Sequence, residues 1–178
     1  LVYATTKSCT LPSGDGTKWV YARFSDKAGN LSTPAGNSII LDTQPPTLQI
    51  NPISSPTNQD VTLSYSVTDN FTPTSEIEVN GNNSPYRNDG NYQVSLTAKD
   101  KAGNSSNAQV SFTIDKTPPK IIISSPQEGQ VFEEREVTLK GTVDGELFPE
   151  ETRTLVEGEN TLTKTATDSA GNSASPGY

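Results

Sequence analysis

Gly90-Asn-Tyr-Gln-Val-Ser-Leu-Thr-Ala-Lys-Asp-Lys-Ala-Gly-Asn104 decides the fold. Its first ten residues alternate, with Tyr92, Val94, Leu96 and Ala98 on one face and polar residues on the other. Period two with a single apolar face describes a strand half buried in a sheet. The run stops at Asp100-Lys-Ala-Gly-Asn104, and a second alternating run, with Val110, Phe112 and Ile114 on one face, follows it. An aspartate can accept bonds from backbone N–H groups a few residues ahead, and a glycine supplies positive φ without a Cβ clash. The element therefore reads as a corner between strands Tyr92–Lys99 and Gln109–Ile114.

The same phrase occurs three times. Gly16 through Asn30 and Gly158 through Asn172 each open on a glycine and end in Asp-x-Ala-Gly-Asn. The turn residues are Asp26, Gly29 and Asn30, then Asp100, Gly103 and Asn104, then Asp168, Gly171 and Asn172. A second marker follows the first two copies, Leu41-Asp42-Thr-Gln-Pro45-Pro46 and Ile114-Asp115-Lys-Thr-Pro118-Pro119. Both markers recur at about seventy residues, and a shared period is the signature of a repeat architecture. Val61-Thr-Leu-Ser-Tyr-Ser-Val67 adds another alternating run, with Val61, Leu63, Tyr65 and Val67 on one face, and no helical period is sustained anywhere. Short strands punctuated by Gly, Pro, Asn and Asp clusters predict an all-β chain of sandwich repeats. Proline fixes φ and keeps the preceding residue extended, so each Pro-Pro is expected to be a short, stiff junction. The expected domains are 1–44, a partial repeat; 45–117, a complete one; and 118–178, a repeat lacking its last strand. Repeat one begins at the equivalent of Ser75, so its opening strands are expected to be absent, and in repeat three acidic Gly145–Glu151 with Pro149 replaces Glu76–Val79. Incomplete sandwiches expose strand edges, which either a longer parent chain or strands from neighbouring copies would cover.

Composition narrows the function. Of 178 residues only 30% are hydrophobic, below the ~45–50% usual for globular chains, so one large core is not expected. Thirteen Gly and 13 Pro would fit disorder, but the shared period of two markers argues against it. The net charge of −8, from 13 Lys+Arg against 21 Asp+Glu, repels phosphate backbones and disfavours nucleic-acid binding. No apolar run reaches the ~18–20 residues of a membrane helix. No basic segment followed by an apolar one opens the chain, which is expected to be a mature segment or a fragment. Zero His and a single Cys remove most nucleophile–base pairs and transition-metal sites. Catalysis is not expected, and no cofactor is called for.

Individual candidates remain. Asp26, Asp100 and Asp168 offer carboxylates to a hard cation such as calcium, although one carboxylate per loop is few for ~6–8 oxygen ligands. Cys9, alone in Ser8-Cys-Thr-Leu11, reads as a small core hydrophobe on a strand, with an intermolecular link as the alternative. Strand parity sets Trp19 outward, opposite Val20, Ala22 and Phe24, so that Trp19, Tyr21 and Tyr3 offer an aromatic platform for a glycan. Glu133-Glu134 and Glu150-Glu151 are adjacent pairs that would point to opposite faces of a strand. They cannot flank one glycosidic bond and read as solvated loops. The Asn-x-Ser/Thr triplets at Asn30, Asn70, Asn82 and Asn104 are expected by chance in so Asn- and Ser-rich a chain. Lys164 stands where Leu96 and Ala22 point inward in the other copies, and a buried amine needs either a slipped register or a carboxylate.

Together, Gly16–Asn30 followed by Ser38-Ile-Ile-Leu-Asp-Thr-Gln-Pro-Pro46 resembles the bacterial immunoglobulin-like repeats of large extracellular proteins. Pro118-Pro-Lys-Ile-Ile-Ile-Ser-Ser-Pro126 and Glu157-Gly-Glu-Asn-Thr-Leu162 look like a related branch. The resemblance implies tandem Greek-key sandwiches of the seven-strand type in an exported bacterial protein, at the cell surface or secreted. Such repeats occur in adhesins, surface layers, filaments and secreted enzymes, so the fold does not carry the activity. The expected role is a stiff spacer or display rod that meets protein partners through exposed strand edges. The alternatives are a filament subunit completed by neighbouring copies, or a glycan-binding accessory module of a polysaccharide-active enzyme. In some surface adhesins an inward lysine forms an isopeptide bond, but the sequence offers no matching triad around Lys164.

Overall fold

Alternation of apolar and polar residues gives strands, and the computed structural model, which describes residues 6–177, contains thirteen of them. They are β1 (Gly16–Ala22), β2 (Ala35–Leu41), β3 (Thr47–Ile50), β4 (Tyr65–Thr68), β5 (Glu78–Asn80), β6 (Gly90–Lys99) and β7 (Ser105–Ile114), then β8 (Ile121–Ser125), β9 (Glu136–Val143), β10 (Glu146–Leu147), β11 (Glu151–Thr154), β12 (Ala166–Thr167) and β13 (Ser173–Ala174). One 3-10 turn, Thr74–Glu76, interrupts them, and no α-helix occurs among the described residues. The protein is all-β, as its periodicity predicts.

The chain divides into two compact units. Among the described residues the first comprises 6–50, 65–82 and 95–108. In it β1 pairs antiparallel with β2, Gly16 opposite Leu41 and Ala22 opposite Ala35. Strand β3 pairs with β4, setting Leu48 opposite Val67, and β5 pairs with the end of β6. Leu48, Val67, Ile77, Leu96 and Ala98 are buried with Pro46, whereas Tyr65, read on the same face as Val67, is exposed. The β1–β2 hairpin does not follow that pattern. Trp19 is 61% exposed, as parity requires, but Val20, Ala22 and Phe24, read as inward, are exposed too, and so are Ile39 and Ile40 of β2. Among the described residues neither face of this hairpin is buried.

The second unit comprises, among the described residues, 51–64, 83–94 and 109–177. Val61, Leu63, Val94, Phe112 and Ile114 are buried, and the Tyr86, Tyr92 and Phe112 rings pack within 5.0–5.4 Å of one another, centroid to centroid. Offset and edge-on aromatic packing of this kind adds to area burial. Strand β9 is the hub of a four-stranded sheet, pairing with β8, β10 and β11. Its inward residues Val137 and Leu139 pack with Leu162, Ile123, Phe148 and Leu155. Gly141 sits where a Cβ would lie 2.0 Å from the Ile122 carbonyl oxygen and 2.8 Å from the Phe148 ring, so close approach of β8 and β9 requires glycine there. Residues Gly145–Glu151 do contain a short strand, β10, which returns along β9 through the tight turn at Asp144-Gly145, where both φ angles are positive.

Candidate functional site

The three Asp-x-Ala-Gly-Asn loops share one geometry. Asp26 Oδ1 accepts the N–H groups of Ala28 and Asn30, both at 2.9 Å, and its Oδ2 accepts Asn30 Nδ2 at 2.8 Å. Asp168 repeats this with Ala170, Asn172 and Asn172 Nδ2, and Asp100 with Gly103, Asn104 and Asn104 Nδ2. In each, the aspartate N–H also donates to the asparagine carbonyl, closing a five-residue ring, and the glycine takes a φ of 90–99°. Charge-assisted bonds of this kind favour the ionised carboxylate. Hydrogen bonding from the Asn30 and Asn172 side chains holds Asp26 and Asp168 below the ordinary aspartate value of 3.8. At Asp100, burial pushes the other way but is outweighed by the Asn104 side chain and the loop N–H groups.

The asparagines do more than close their loops. Asn104 Nδ2 also donates to the Asp42 carbonyl at 3.2 Å, and Asn172 Nδ2 to the Asp115 carbonyl at 2.7 Å. The two sequence markers therefore meet: each of these loops is bound to the residue three places before the preceding Pro-Pro. The Asp42 and Asp115 side chains accept the N–H two residues on, at Gln44 and Thr117. Sequence reasoning missed both clasps, because the partners stand about sixty residues apart and the acceptor is backbone.

Asp100 has further neighbours. Asp42 directly follows β2, Asp69 follows β4 and Asp100 follows β6, so three strand ends deliver three carboxylates. One oxygen from each lies within 4.8 Å of one from each of the others. Asp69 Oδ1 accepts the N–H groups of Phe71 and Thr72. Asp42 Oδ2 is buried and has no hydrogen-bond partner. Asp26 and Asp168 belong to no such group among the described residues. Asp69 was not singled out from the sequence; its one signal is its place at the end of an alternating run.

The remaining candidates fall elsewhere. Trp19 and Tyr21 lie on the open face of β1 with rings stacked at 6.0 Å and 16°; Tyr3, the third member of the expected platform, lies outside the described residues. Cys9 is exposed and outside any strand, so the reading of it as a core hydrophobe is corrected. Lys164 is largely buried, and the structure gives it the carboxylate that its position demands: Glu151 of β11, which also pairs with Arg153. The Lys164 ammonium lies 4.7 Å from the Phe148 ring centroid, a cation–π contact. Glu151 is thus a half-buried strand residue rather than part of a solvated loop, and the Lys164 hydrogen bond holds its carboxyl below the usual range. Glu150 pairs with Lys140 at 2.8 Å, while Glu133 and Glu134 line an open cleft with Phe132, Leu155 and Leu162.

Residues 76–144, from the 3-10 turn to the end of β9, match the family model of bacterial Ig-like domains, group 3. This segment is bacterial Ig-like. The match covers less than half of the chain and runs across Pro118-Pro119, so it takes in the Asp100 loop, β7, the Asp115 junction and β8–β9 in one frame. No curated protein matches the chain. Bacterial Ig-like domains are structural or adhesive modules, generally non-catalytic, and often occur in surface proteins. Among the described residues no helix is long and apolar enough to cross a membrane.

Proposed function

We propose that the chain is a tandem array of Greek-key immunoglobulin-like repeats, bordered at 1–44, 45–117 and 118–178, serving as a stiff, non-catalytic spacer or display rod of an exported bacterial surface protein. The observation that carries this reading is the pair of clasps, Asn104 to the Asp42 carbonyl and Asn172 to the Asp115 carbonyl. A bond from the body of a repeat to the residue three places before a Pro-Pro limits pivoting at the junction, which a spacer needs and a loose string of domains does not have. Small-angle scattering with sedimentation velocity on the full chain tests it. A monomer with an extended, rigid profile is expected; a compact globule or a flexible-coil profile overturns the reading.

The exposed β1–β2 hairpin favours a second reading, in which neighbouring copies cover Trp19, Val20, Ile39 and Ile40 and the chain is a filament subunit. A mass that exceeds the monomer and does not fall on dilution is its expected signature. The Trp19–Tyr21 stack on the same hairpin gives the glycan-binding alternative its one support. Trp19 fluorescence unmoved by a panel of polysaccharides removes it.

A further inference from the structure

Val131 is 91% exposed and Val156 71%, each on a loop of the second unit. The two loops line one open cleft of about 790 Å³, together with Phe132, Leu155 and Leu162. That volume falls in the ~300–1,000 Å³ range of ligand sites. Glu128, Glu133 and Glu134 come from the first loop and Glu157 and Glu159 from the second, with Arg135 the one cation of the lining. Among the described residues none of these five glutamates forms an ion pair. Both loops are braced from within. Asn160 Oδ1 accepts the Val156 N–H at 2.9 Å, and its Nδ2 donates to the Val156 and Gly158 carbonyls at 2.8 and 3.0 Å. Gln127 donates its side-chain amide to the Ser124 carbonyl and its N–H to Gln130 Oε1. Apolar groups held out by braced loops lose little freedom when a partner covers them.

The repeated pattern of the chain does not demand this cleft. Val61 is the buried residue five places after Pro56, and Val137 is its counterpart eleven places after Pro126. The longer loop carries Val131, Phe132, Glu133 and Glu134. Its shorter counterpart, Thr57-Asn-Gln-Asp60, has a single acid, which Arg87 and Lys116 both pair.

We propose that this cleft docks a basic peptide segment of a partner protein, one with leucine-sized side chains between its lysines or arginines. Charge complementarity selects that occupant. Val131, Phe132 and Val156 would anchor its apolar side chains, and unpaired glutamates from both loops would meet its cations. A purely apolar segment would desolvate those carboxylates without compensation, and an acidic one would be repelled. The proposal is independent of the rod reading, because every residue it uses lies within the second unit.

Fluorescence anisotropy tests this, with the full chain titrated into a dye-labelled hexapeptide of alternating lysine and leucine. Saturable one-to-one binding with a Kd below about 1 mM is expected. It should weaken several-fold between low salt and about 0.5 M salt, as screening sets in. Val156→Ser alters a side chain that the fold leaves in water, so it should weaken binding at least about threefold with an unchanged melting temperature. Glu133→Gln combined with Glu134→Gln should weaken it further, and Glu78→Gln, on β5, should leave it alone. Absence of saturation by about 1 mM overturns the proposal. So does equal binding of a lysine–serine hexapeptide, which would reduce the cleft to a patch of charge. Undiminished affinity in Val156→Ser, or a loss in Glu78→Gln as large as in the glutamate pair, overturns it too. Sedimentation velocity covers the other occupant: a dimer that Val156→Ser dissociates, with no peptide bound, would put a second copy in the cleft and overturn the partner reading.

Discussion

Asn30, Asn104 and Asn172 each close a ring on their own aspartate, yet they differ in reach. Asn172 is buried and spends its second amide proton on the Asp115 carbonyl, whereas Asn30 is exposed and among the described residues its side chain bonds only Asp26. Removing a side chain that satisfies a buried acceptor costs about 1–3 kcal/mol, and the part-buried Asp115 carbonyl falls toward the lower end. Asn172→Ala should therefore lower stability in denaturant by that amount, and Asn30→Ala by clearly less; equal losses would mean that the clasp contributes nothing. The loops were legible in sequence because their chemistry is local: aspartate, glycine and asparagine within five residues determine the ring. The clasp was not, since a carbonyl acceptor leaves no trace in residue identity. Cys9 failed for a related reason, as a four-residue apolar-looking window cannot tell a strand from an exposed loop.

Among the elements, β11 carries the clearest surprise. Lys164 reads as an inward lysine in search of an acid, and that need was visible by comparing the three copies. The acid itself, Glu151, was hidden in a pair of glutamates that looked solvated, because the position of β11 depends on its antiparallel pairing with β9. Removing the Glu151 charge leaves the part-buried Lys164 ammonium without a carboxylate, while replacing the amine by an apolar chain leaves Glu151 its Arg153 partner and keeps the packing on Phe148. Lys164→Met should thus hold its melting temperature better than Glu151→Gln, with the gap narrowing in high salt as screening weakens the pair. A larger loss for Lys164→Met would show that the cation–π and ionic contacts outweigh packing. The β1–β2 hairpin is the opposite case: alternation predicted a strand pair correctly and its inner face wrongly, since period two says that two faces differ but not that either one is covered.

For the whole molecule, acid sensitivity follows from carboxylates spread over both units. Asp26 and Asp100 in the first unit and Asp60, Glu151 and Asp168 in the second all titrate below their ordinary values, Asp60 because Lys116 and Arg87 pair with it. A group whose pKa is depressed by folding adds stability above its unfolded value and loses that contribution as pH falls through the folded one. With no histidine in the chain, melting temperature should stay level between about pH 8 and pH 5 and fall below about pH 4. A decline already complete at pH 5 would contradict this assignment. The division into two units was not legible in sequence, because β6 and β7 contribute residues to both and no composition change marks the border. The clasps have one further consequence, for inheritance. Asp42 and Asp115 stand equally far from their prolines and present the same chemical group, a main-chain carbonyl. Excision of residues 43–115 by recombination would join Asp42 to Lys116-Thr-Pro118-Pro119 and hand Asn172 an acceptor identical to the one it lost. At that one bond, such a shortening of the gene would call for no compensating substitution.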